Sequence, residues 1–95
     1  MSSESTPRLE DAPKISRQFR LQYEAAQSAW VLLYPEGMVK LSGSAGEIMK
    51  RIDGQVTVDA LIRELEAAFP GAALRQDVLD FMQIAHARGW ITAGK

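Results

Sequence analysis

The sequence predicts an α+β domain: a three-stranded antiparallel sheet followed by three helices, in a winged helix-turn-helix-like arrangement. Three observations predict it. Residues 18–24 alternate polar and apolar with the two-residue period of a half-buried strand. Residues 30–41 contain two short apolar runs around Tyr34-Pro35-Glu36-Gly37, where proline and glycine suit the second and fourth positions of a turn. From Ser44 onward, apolar residues recur at the three- and four-residue spacing of helices.

In chain order, residues 1–13 are rich in Ser, Glu and Pro and read as a flexible arm; residues 14–95 read as a single domain. In the first strand Phe19, Leu21 and Tyr23 face one way, and Gln18, Arg20, Gln22 and Glu24 the other. Ala25 to Ser28 holds the connection. Ala29 to Tyr34 is apolar throughout, as expected of a central strand covered on both faces. Met38 to Leu41 completes the meander and lies at its edge. Ser44 and Glu47 fit a capping box, Ala45, Ile48, Met49 and Ile52 share one helical face, and Gly54 is placed to end that helix. Thr57 can cap a second helix with the stripe Val58, Leu61, Ile62, Leu65 and Phe69, ended by Pro70 and Gly71. A third helix runs from about Leu74 to Arg88, where Gly89 stops it. Trp90 and Ile91 fold back as an apolar lid or short strand.

The third helix is apolar over more than one face. Leu74, Val78, Phe81, Met82 and Ala85 form a stripe, with Leu79 to one side and Ile84 to the other. The arc is roughly 220°, wider than packing on one core requires. Such a helix is buried between two parts of the domain, meets a second copy of the chain, or lines a groove. An edge strand exposes unpaired backbone groups. Together, that edge and the helix would form a groove in which an extended peptide adds a strand. Met38, Val39, Lys40 and Leu41 on the strand, with Arg75, Val78, Leu79 and Met82 on the helix, are the expected peptide-binding residues.

Composition narrows the chemistry. The chain of 95 residues carries a net charge of −1, without the basic excess that nucleic-acid binding usually needs. It has no cysteine, hence no thiolate nucleophile, disulfide or thiolate-held cluster. His86 alone cannot build a histidine metal site. No apolar run approaches the ~20 residues that span a bilayer. Met1 to Pro7 lacks the pattern of a signal peptide, so a cytoplasmic location is expected.

No catalytic constellation stands out. Asp77 and Asp80 read as a solvated helix face, and His86 as a surface residue favoured near a helix C-terminus. Gly43, Gly46, Gly54 and Gly71 form no phosphate-binding signature. Trp30, Trp90 and Met49 read as core residues. A winged-helix DNA-binding regulator is the structural alternative, but Asp77 and Asp80 on its recognition helix would oppose phosphates. The reading is a binding module, not an enzyme, with no cofactor and no nucleic-acid or membrane partner.

A family resemblance sharpens it. Trp30 to Gly54, Arg20 to Glu24, Phe69-Pro70-Gly71-Ala72, Asp77-Val78 with Phe81, and Gly89-Trp90-Ile91 together resemble the PqqD family of pyrroloquinoline quinone (PQQ) biosynthesis. Leu41-Ser42 departs from an expected Leu-Asn, with similar turn chemistry. The resemblance implies a RiPP recognition element that acts as a peptide chaperone. Such a protein binds the ribosomal precursor peptide PqqA and presents it to the radical S-adenosylmethionine enzyme PqqE.

Overall fold

The computed structural model describes residues 6–94. Its elements are β1 (Lys14–Ile15), β2 (Arg20–Glu24), β3 (Ala29–Tyr34), β4 (Gly37–Leu41), α1 (Ser44–Met49), α2 (Val58–Ala68), α3 (Arg75–Ala87) and β5 (Ile91–Thr92). The architecture is the expected α+β one. β2, β3 and β4 form an antiparallel meander with β3 in the middle. Leu21, Leu32 and Val39 stand in register on one face, as do Tyr23, Trp30 and Leu41. The helices cover that face. Leu32 and Leu41 join Ile48, Met49, Leu61, Ile62, Val78 and Met82 in a single core. Val31 points to the other face, between Gln22 and Lys40, yet is as fully buried as Leu32. The centre of β3 is thus covered on both faces, which accounts for its unbroken apolar sequence.

The expected helices form, with three local differences. Gly43, not Ser44, is the N-cap residue of α1, and it provides no side-chain cap. Glu47 does not reach back to complete a capping box, because Arg51 and Lys50 hold its carboxylate. The helix also ends at Met49, well before Gly54. Arg51 and Ile52 donate to Ile48 and Met49, three residues back, so the chain tightens into turns that still bury Ile52. Phe69 lies beyond the last residue of α2 and is exposed rather than part of its buried stripe.

The larger departure concerns the N-terminal segment. Residues 1–13 read as a flexible arm; residues 1–5 lie outside the described residues, but Pro7 to Pro13 pack against the domain. The Val58 and Asp59 N–H groups donate to the carbonyls of Asp11 (2.9 Å) and Leu9 (3.0 Å). Ala60 N–H donates to Thr57 Oγ1 at 3.1 Å. Donors that a helix start leaves without intrahelical partners are thus supplied largely from outside α2. The Gly54 N–H donates to Pro13 O at 3.0 Å. β1 then pairs with β5 as a second, two-stranded sheet, tying the two ends of the described chain together. Gly94 passes so close that a Cβ there would collide with the Ala12 carbonyl oxygen, and its φ of +84° also favours glycine. The packed body of the described residues therefore includes Pro7 to Pro13.

Candidate functional site

Among the described residues β4 pairs with β3 alone, and its other side is open. Tyr34 and Gly37 close the two-residue turn and form its paired ends. In an antiparallel ladder the hydrogen-bonded pairs alternate, so Val39 and Leu41 exchange bonds with Leu32 and Trp30. The backbone N–H and C=O of Met38 and Lys40 then point outward, away from β3. The side chains of Met38 and Lys40 are exposed, Val39 is half-buried, and Leu41 is in the core.

Just past the end of β4 lies an apolar cavity of about 420 Å³, walled by Gly43 and Ile48, by Leu65 of α2 and Phe69 just past its end, and by Leu74 just before α3 and Val78 of α3. Each helix contributes through a buried or half-buried residue, except that Phe69 lies 45% exposed. Glu66 Oε2 accepts from Leu74 N–H at 2.9 Å and so fastens the turn between α2 and α3 that forms one rim.

Of the residues expected to bind, Val78 lines this cavity; the edge residues Met38 to Leu41 stop short of it, two residues before Gly43 in its wall, and the rest of the α3 set does not line it. Met82 is fully buried in the core. Arg75 and Leu79 lie around the helix from Asp77 and Leu74, which line the cavity. Arg75 instead reaches toward Asp59 of α2, at 4.0 Å. Leu79 packs half-buried against the core. The cavity thus opens on the α3 flank that carries Asp77. Sequence reasoning missed Leu65, Phe69 and Leu74, because these residues meet α1 only through the tertiary fold. By spacing Phe69 fits the α2 stripe, and only the helix's end at Ala68 turns its ring toward the cavity.

Glu47 is the electrostatic hub of the site. Its Oε1 accepts from Arg51 Nη1 at 2.9 Å, and Lys50 Nζ lies 3.4 Å away. Arg51 also bonds the Glu47 carbonyl, and its Nε lies 3.7 Å from Glu64. The Arg51 hydrogen bond, with a smaller contribution from Lys50, holds the Glu47 carboxyl below its usual value. Asp53 is likewise lowered, by the Val56 and Gln55 N–H groups. Among the described residues no group of three or more His, Asp or Glu is arranged to hold a metal, and no helix is long and apolar enough to cross a membrane.

An open strand edge, with an apolar cavity just past its end, marks the candidate binding surface of a small α+β domain. The comparisons with known proteins make the class specific. A family model described as "Coenzyme PQQ synthesis protein D (PqqD)" matches residues 29–91. A "PqqA binding protein" of Pseudomonas aeruginosa strain PAO1 is 49% identical over 88 residues, 92% of this chain and 96% of the relative. Another, from Azotobacter vinelandii, is 46% identical over 90 residues, 94% of this chain and 96% of that one. The fold matches the solution NMR structure of the PqqD truncation of Methylobacterium extorquens PqqCD, described as a functional and stand-alone RiPP recognition element. That match has a TM-score of 0.69 and 26% identity, over 87% of this chain and 92% of that one. This chain belongs to the PqqD family.

Proposed function

We propose that this protein binds the precursor peptide PqqA as an added strand on β4, and presents it to the radical S-adenosylmethionine enzyme PqqE. The open edge of β4, ending at an apolar cavity, is the observation that carries the reading. Near full-length similarity to proteins named for PqqA binding supplies the peptide. Outward N–H and C=O groups of Met38 and Lys40 would bond the peptide backbone and tolerate changes in its sequence. Val39 and Leu41 form the floor of the strand pairing, and the cavity beside Val78 selects an apolar side chain. The body from Pro7 to Gly94 is the binding domain, and it carries no chemistry of its own. A DNA-binding reading gains nothing from α3, where Asp77 and Asp80 are exposed.

Titration of fluorescently labelled PqqA with the purified protein tests the first step. Saturable binding is expected, and its absence at high protein concentration overturns the reading. Presentation is tested with reconstituted PqqE: peptide cross-linking should rise when this protein is added. Incubation with peptide and S-adenosylmethionine without PqqE should leave the peptide mass unchanged.

A further inference from the structure

A second cavity, of about 410 Å³, adjoins the apolar one: Gly43 and Glu47 stand in the wall of both. Their linings differ in chemistry. The second is walled by Gln27, Ser28, Lys40 and Ser42, beside Tyr23 and Trp30, whose rings meet edge to face at 5.4 Å. Each basin also holds one of the few large apolar side chains left exposed, Phe69 in the first and Tyr23, at 51%, in the second.

The charges indicate what the second basin accepts. Glu47 faces it but is already matched by Arg51 and Lys50. Lys40 has no carboxylate partner among the described residues. The basin therefore holds an unmatched cation, with hydroxyl and amide groups from Ser28, Ser42 and Gln27 around it. Gly43 forms the saddle between the basins. Its φ is +61°, and a Cβ there would meet nothing within 4 Å, so the ridge is open to a chain crossing it.

We propose that the two basins read one peptide, the apolar basin taking an apolar or aromatic side chain and the Lys40 basin a carboxylate a few residues away. The occupant is the peptide of the preceding section, so the inference rests on that reading. The carboxylate belongs either to an Asp or Glu side chain or to the peptide C-terminus. Because Lys40 belongs to β4, its backbone pairs with the peptide while its side chain fixes the register.

The test is a double-mutant cycle between Lys40→Met and a PqqA peptide set, read by fluorescence anisotropy. The set replaces each Asp by Asn and each Glu by Gln, one at a time, and includes a C-terminal amide. Lys40→Met should raise the Kd of the unmodified peptide by about three- to tenfold. One peptide of the set should show the same loss with the native protein and no further loss with Lys40→Met. Which peptide does so distinguishes a side-chain carboxylate from the C-terminus. Binding of the native pair without coupling at any position overturns the inference and leaves peptide binding standing. No binding by the native pair overturns both.

Discussion

Met38→Pro removes one outward backbone donor from β4 and little else. The Met38 N–H faces away from β3, so the substitution breaks no bond of the meander. Proline is tolerated on an edge strand for that reason. In the complex the cost falls on the peptide carbonyl that Met38 would have satisfied. Losing a net hydrogen bond costs about 0.5–1.5 kcal/mol, and leaving a buried acceptor unsatisfied costs about 1–3 kcal/mol. About 1.4 kcal/mol is a tenfold change in Kd, so roughly five- to a hundredfold weaker binding is expected. Met38→Ala separates the side chain, which is 47% exposed, from the donor. Val39→Pro is the opposite control. Its N–H faces β3, so that variant should lose the fold. The assay is a thermal melt with a peptide titration on each variant. If Met38→Pro and Lys40→Pro both fold and bind as the native protein does, strand addition at this edge is wrong.

Phe69→Ala should weaken peptide binding by ~1 kcal/mol or more while leaving the melting temperature nearly unchanged, because the ring lines the cavity yet is half-open to solvent; unchanged affinity would remove the cavity from the site. Leu79→Ala should do the reverse, costing ~1 kcal/mol or more of stability with little loss of affinity once folded; a melt and a titration distinguish the two. Glu47→Gln should flatten the acid limb of stability. The Glu47 carboxyl is depressed below 4.5 in the folded state by Arg51, so its contribution is present above that value and lost as pH falls through the folded pKa. Denaturant melts from pH 6 to 3 should show the native protein losing more stability than the variant. Gly94→Ala must displace the Ala12 carbonyl, so hydrogen exchange at the Val58 and Asp59 amides should speed up as the N-terminal segment loosens.

What was legible in the sequence followed from local periodicity. The meander came from the alternation at Phe19 to Tyr23, the unbroken run at Ala29 to Tyr34 and the proline-glycine turn between the last two strands. Thr57 named its own helix start, and Gly89 follows α3 as expected. The packed N-terminal segment was not legible, because Leu9 and Asp11 act through their backbone carbonyls, which every residue possesses. Thr57 accounts for one orphan donor of α2 by its side chain, and asking what satisfies Val58 and Asp59 would have pointed to a missing strap. The capping box at Ser44 and Glu47 failed because a nearby Arg51 competes for the same carboxylate, and the match in pattern carries no information about that rival. On α3 one end of the apolar arc, Ile84, stays exposed, and the two flanks are alike in composition. Only the positions of α1 and α2 decide that Leu74 and Asp77 face the cavity while Leu79 and Arg75 do not.

The central claim is that a peptide backbone occupies the open side of β4, and amide hydrogen exchange reads it residue by residue. With saturating PqqA, the N–H groups of Met38 and Lys40 should become protected, while those of Val39 and Leu41, already bonded to β3, change little. Saturable binding that leaves Met38 and Lys40 exchanging as fast as in the free protein would contradict the account.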